Sequence, residues 1–96
     1  MAKLDVICAQ LRSLSQETRL RIFRELVCAG SAGLCAGDIC KRLDVPCSAM
    51  SFHLNDLSST KLIRAERRGR HIIYFANIEE IQSVTDYLHQ NCCAPR

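Results

Sequence analysis

Apolar residues recur with a helical period in five stretches of the chain. Leu4, Ile7, Leu11 and Leu14 fall at i, i+3, i+7 and i+10, a narrow stripe that predicts a first helix over residues 4–14. Ser15 is suited to cap a second helix, in which Leu20, Ile22, Phe23, Leu26 and Val27 supply a wide buried face and Arg19, Arg21, Arg24 and Glu25 a solvated one. Cys28 reads as core on that helix, which ends near Gly30. Residues 31–34 then read as loop, with Cys35 where the next helix begins. Ile39 and Leu43 mark a short helix, Asp44-Val45-Pro46-Cys47 breaks it, and Met50, Leu54 and Leu57 recur at i, i+4, i+7: helix, turn, helix over residues 36–58. After a frayed end at residues 58–61 the pattern turns β-rich. Leu62-Ile63-Arg64-Ala65-Glu66-Arg67 and His71-Ile72-Ile73-Tyr74-Phe75-Ala76 flank Arg68-Gly69-Arg70, which predicts a two-stranded hairpin over residues 62–76, with Gly69 able to take φ > 0. Such a hairpin is marginal alone and must lean on the helices. Ile78, Ile81, Val84, Thr85 and Leu88 predict a closing helix over residues 78–91, with Glu79 and Glu80 in the first turn, where the helix dipole favours anions.

This order predicts one mainly α domain over residues 1–96 with a small β-hairpin: a winged helix-turn-helix, in which one helix enters a major groove and the wing lies along phosphates or the minor groove. On the second helix of the pair the outward residues Ser48, Ala49, Ser51, Phe52 and Asn55 are mostly small or hydrogen-bonding. Small side chains let a backbone approach base edges, and hydroxyls and amides exchange hydrogen bonds with bases and phosphates. The net charge of +3 decides little, but five of the 13 basic residues fall between Lys61 and Arg70 against one acid, Glu66. Arg67, Arg68 and Arg70 therefore join the candidate contacts to double-stranded DNA. One small domain makes few base contacts. The apolar seams on the terminal helices, residues 4–14 and 78–91, predict a homodimer with recognition helices about 34–36 Å apart.

At 96 residues the chain has room for one modest core. The absence of a long apolar run or a signal-like N-terminus predicts a cytoplasmic protein with no membrane partner. Seven cysteines, an odd number, in a reducing compartment suggest metal binding, redox chemistry or simple burial more than a disulfide framework. No spacing assembles a cysteine with an activating base, so no enzyme activity is expected.

The stretches Leu14-Ser15-Gln16-Glu17-Thr18-Arg19-Leu20-Arg21-Ile22-Phe23, Ser51-Phe52-His53-Leu54-Asn55-Asp56-Leu57, and Leu62-Ile63 through Arg67-Arg68-Gly69-Arg70 to Tyr74 resemble the ArsR/SmtB family of bacterial metalloregulatory repressors. The resemblance runs over roughly residues 4–91. It implies an operator-bound dimer released by an inducing metal or metalloid, with DNA contacts at Cys47, Ser48, Ser51 and Phe52 and His53 adjacent.

Family members place inducer sites in different parts of one scaffold. One type uses a Cys-x-Cys-Asp motif; here Cys35-Ala36-Gly37-Asp38 keeps only the first cysteine, and Cys40, five residues on, lies about 140° round a helix from it. A second type uses carboxylate and imidazole ligands for zinc, and the matching positions Glu80, Gln82, Cys93 and Arg96 are a poor set because Arg cannot coordinate. The third candidate is Cys92-Cys93, whose adjacency disfavours a mutual disulfide but offers two thiolates to one soft centre such as arsenite or antimonite. Asn91-Cys92-Cys93 resembles the branch that senses trivalent arsenic through C-terminal cysteines, with Cys8 or an added thiol as third ligand. His89, three and four residues earlier, keeps a zinc or copper site open, and the same cysteines could serve thiol-redox or persulfide sensing.

Overall fold

In a computed structural model, which describes residues 2–90, the helical periods become α1 (Ala2–Leu14), α2 (Glu17–Ala29), α3 (Ala36–Leu43), α4 (Cys47–Ser59) and α5 (Ile78–His89). The β-rich runs become β2 (Ile63–Arg68) and β3 (His71–Ala76), preceded by a short strand β1 (Leu34–Cys35). The core forms where the inward stripes converge: Ile22, Phe23 and Leu26 of α2, Ile39 and Leu43 of α3, and Met50, Leu54 and Leu57 of α4 pack with Leu62 and Ile63 beneath the hairpin. Truncating one such side chain to Ala removes about 2–5 kcal/mol.

Between α3 and α4 the chain turns in three residues. Asp44 closes α3 in the left-handed region at φ 53°, a conformation Asp tolerates better than most residues. Pro46, at φ −58°, stands before the first residue of α4; its fixed φ suits the turn, but it has no side-chain group to accept from the helix's free N–H groups.

The structure departs from the sequence pattern at several places, each with a local cause. The wing strands β2 and β3 pair as the expected hairpin, and β1 adds a third strand at the β3 edge, an antiparallel sheet in the order β1-β3-β2 with Leu34 opposite Tyr74 and Cys35 opposite Ile73. Gly33 permits this third strand. At φ 66° and ψ −178° it takes a conformation open essentially to glycine, and a Cβ there would lie 2.6 Å from Ile73 Cγ2 and 2.7 Å from the Tyr74 carbonyl oxygen. A two-residue strand is too short to leave a periodic signal.

The cap of α2 is Gln16, whose Oε1 accepts from Arg19 N at 2.8 Å, whereas Ser15 turns back and donates to Arg12 O at 2.7 Å. Leu20 is 44% exposed and Cys28 is exposed, not core. Each lies two residues from a core position, Ile22 or Leu26, which on a helix is about 200° and hence the far side. The frayed end expected at residues 58–61 is a closed one: α4 runs to Ser59, and the hydroxyls of Ser59 and Thr60 donate to the carbonyls of Asp56 and Leu57. Among the described residues no helix is long and apolar enough to cross a membrane.

Candidate nucleic-acid interface

With Met50, Leu54 and Leu57 turned into the core, α4 presents Cys47, Ser48, Ser51, Phe52 and Asn55 to solvent, while Ala49 and His53 are half-buried at the edges of that face. Phe52 is 68% exposed, and its ring meets His53 edge-on at 5.8 Å between centroids. A large apolar side chain left outside a core is suited to a partner surface, and a thymine methyl in a major groove is one such surface. The face is therefore a mixture of small hydroxyls, one amide and one apolar knob.

The wing divides its arginines by strand alternation. Arg64, Glu66 and Arg68 share one face of β2, where the Glu66 carboxylate bridges Arg64 Nη1 at 2.8 Å and Arg68 Nη2 at 3.0 Å. The same guanidinium groups lie over the Phe75 ring, 4.4 Å and 5.3 Å from its centroid. Hydrogen bonds from Arg64 and then Arg68 hold the Glu66 carboxyl below its ordinary range. Arg67 points to the opposite face and Arg70 follows Gly69, whose φ of 63° makes the turn; both are exposed and carry no ion pair with the described residues. Of the three arginines singled out at the tip, Arg67 and Arg70 are thus available, and Arg68 is engaged.

The far end of α4 is tied to the terminal helices by polar side chains that the hydrophobic pattern does not mark. Ser13 Oγ donates to Asp56 Oδ1, Arg19 Nε donates to Ser13 O at 2.8 Å, and the same nitrogen lies 3.6 Å from Asp56 Oδ1. Gln10 Nε2 donates both to Thr60 O at 2.9 Å and to Glu80 Oε1 at 2.8 Å. Gln10 and Ser13 are buried, and Arg19, expected on a solvated face, is only 14% exposed at its side chain. The available signal was Gln10 itself: it falls in line with Ile7 and Leu14 on the inward side of α1, where an amide needs partners. Gln10 and Ser13 thus join α1 to α5 and to the C-terminal end of α4 by hydrogen bonds.

Among the described residues Cys40 and Cys47 are paired and Cys8, Cys28 and Cys35 are free. Cys8 is exposed on α1 between Leu4 and Leu11, and Cys35 is half-buried at the start of α3. Cys40, considered above with Cys35, is instead paired as a disulfide with Cys47, their Cα atoms 5.7 Å apart. Cys47 returns over Cys40 after the turn, which Cys35 on the preceding backbone does not. His89 is exposed as the last residue of α5, and Cys92 and Cys93 lie outside the described residues. Among the described residues no group of three or more His, Cys, Asp or Glu is placed to hold a metal ion.

The family model described as a helix-turn-helix domain matches residues 14–66, from the end of α1 into the wing. Among solved structures, an ArsR-like transcriptional regulator from Rhodococcus sp. RHA1 is similar at 30% identity and a TM-score of 0.84, covering 94% of this chain and 82% of that one. Reduced HlyU from Vibrio cholerae is similar at 27% identity and a TM-score of 0.69, covering 96% and 90%. The homodimeric winged helix-turn-helix DNA-binding domain of a Mycobacterium bovis protein shares the fold at 20% identity and a TM-score of 0.72, covering 99% and 91%. No curated protein matches the sequence. Because the helix-turn-helix model takes in more than half of the residues and the Rhodococcus likeness extends over nearly all of them, the chain belongs to the ArsR/SmtB family of winged helix-turn-helix transcriptional regulators, which bind DNA and are not enzymes.

Proposed function

We propose that residues 1–96 act as one unit, a repressor that binds operator DNA as a homodimer and lets go when trivalent arsenic, or antimony, is taken up by Cys92 and Cys93 with Cys8 as third thiolate. The observation that carries the DNA-binding part is the exposed face of α4, Cys47, Ser48, Ser51, Phe52 and Asn55 with Ala49 and His53 at its margins, standing with Arg67 and Arg70 of the wing, which carry no ion pair among the described residues. Side chains of α4 read base edges and the wing arginines contact phosphate, with Arg68 supporting the wing.

Dimerisation is supported by apolar surface on the terminal helices. Leu4, Cys8 and Leu11 form an exposed i, i+4, i+7 stripe on α1, and Ile78 and Leu88 of α5 are 52% and 59% exposed. That stripe would put the Cys8 thiol at the seam between two copies, near the ends of the closing helices. Arsenite bound there would re-angle α1 and α5, and the bonds of Gln10 and Ser13 would carry the change to α4. To turn 99% occupancy into 1% the inducer must prefer the released form by about 5.5 kcal/mol.

The test is a DNA titration with and without arsenite on the wild type, Cys92→Ser/Cys93→Ser and Cys8→Ser, with zinc and copper in parallel. Release by arsenite in the wild type and not in the double variant is expected; unchanged release in that variant refutes the sensor. Release by zinc or copper alone transfers the reading to a His89 and cysteine site. Sedimentation equilibrium checks the dimer, and a species of 10.8 kDa alone at micromolar concentration refutes it. The Cys40–Cys47 pairing favours a second reading, thiol-redox or persulfide sensing in the same scaffold, in which mild oxidation alone changes DNA binding.

A further inference from the structure

We propose that Cys40 and Cys47 form a reversible thiol–disulfide switch inside the helix-turn-helix, oxidised by hydroperoxides, which fixes the first turn of α4 against α3 and strengthens the grip on DNA. The switch uses neither the tail cysteines nor α1, and it rests on the reading of α4 as the DNA-contacting helix.

Cys40 lies in the last turn of α3 and is 6% exposed; Cys47 is the first residue of α4 and is exposed. Their Cα separation of 5.7 Å falls within the span a disulfide bridges. The bond spans the turn Asp44-Val45-Pro46 and adds a second covalent link to the backbone between the two helices. At the start of α4 the cap residue Pro46 makes no side-chain hydrogen bond to the free N–H groups, and the first turn is held by Met50 in the core and by Ala49 N donating to Pro46 O at 3.2 Å. A bond from Cys47 to the core residue Cys40 adds a restraint at the exposed first residue.

The unequal exposure sets the order of chemistry. The Cys47 thiolate attacks one oxygen of hydrogen peroxide, the O–O bond breaks, and the departing oxygen leaves as water after protonation, with Cys47 now a sulfenic acid. Cys40 loses its proton and attacks the Cys47 sulfur, expelling the second oxygen as water. Two thiols and one peroxide become one disulfide and two waters, and a dithiol reductant reverses the change by exchange.

The direction follows from the geometry. The bonded pair sits in a chain whose overall fold matches the Rhodococcus regulator at a TM-score of 0.84, so the bond is compatible with the fold of a DNA-binding family. Reduction frees the first turn to sample other angles, and restoring one angle on DNA then costs entropy that the oxidised form has already lost.

The experiment treats the full chain with hydrogen peroxide or a dithiol and reads three quantities. Trypsin cleaves after Lys41 and Arg42, between the two cysteines, so the disulfide joins two peptides that separate on reduction. Amides of residues 47–51 should exchange more slowly in the oxidised protein. Affinity for a duplex selected from a random-sequence library should be about 3- to 10-fold tighter when oxidised, the range that one ordered side chain allows. In Cys47→Ser and in Cys40→Ala the ratio of oxidised to reduced affinity should fall to one, whatever the absolute value. Absence of the joined peptide, unchanged exchange, equal affinities, or weaker binding by the oxidised wild type each overturns the switch. Failure to bind any duplex in either state would refute the DNA-contact reading of α4, and the exchange measurement would still decide whether the bond restrains the turn.

Discussion

Replacing Arg67 by alanine tests whether the wing touches phosphate through the arginines that strand alternation leaves free. Glu66 engages Arg64 and Arg68, and Arg67 stands on the other face of β2 with no ion pair to the described residues. If each wing places one Arg67 on a phosphate, a dimer neutralises two, and removal lowers the slope of log affinity against log salt by about 1.8. Between 50 and 200 mM salt, a fourfold change, wild-type affinity would then fall about 12-fold further than that of the variant. Arg68→Ala is the contrast, because that guanidinium already donates to Glu66 from Nε at 3.2 Å and Nη2 at 3.0 Å. Its slope should change by less than half as much. Fluorescence anisotropy of a labelled duplex over a potassium chloride series measures both. A wild-type slope in Arg67→Ala, or equal changes in the two variants, would refute the assignment of phosphate contact by strand face.

Gly33→Ala should destabilise the fold by about 2–5 kcal/mol, combining a disallowed backbone with a Cβ driven into the Tyr74 carbonyl, and urea denaturation would expose the error if the loss were under about 1 kcal/mol. Asp56→Ala removes the acceptor of Ser13 and the partner of a largely buried Arg19, at a cost of about 1–3 kcal/mol; an unchanged midpoint in the same assay would mean that the junction of α1 with α4 does not depend on this carboxylate. For Glu66 the folded value lies below the ordinary 4.5, so its contribution to the hairpin is present above the unfolded value and is lost as pH falls through the folded one. Carboxyl chemical shifts should place its midpoint below 4.5 in the wild type and move it upward in Arg64→Ala; a midpoint at or above 4.5 in the wild type contradicts the bridge.

Hydrophobic period was enough to locate the helices and the paired strands of the wing, because each is long enough for its inward positions to repeat; the break expected over Asp44-Val45-Pro46-Cys47 is one residue shorter, because Cys47 already opens α4. The outward residues of α4 were legible for the same reason, since the positions left over by Met50, Leu54 and Leu57 must face solvent or a partner. Contacts between distant segments leave no such repeat. Nothing local to Leu34 and Cys35 marks a strand whose partner lies about forty residues away, and nothing local to Arg19 says that its guanidinium lies against Asp56. The engagement of Arg68 by Glu66 and the meeting of Cys40 with Cys47 likewise arise from pairings across a sheet face and across a turn. Periodicity reports which side of its own element a residue occupies, and only the packing of elements against one another decides what that residue meets there.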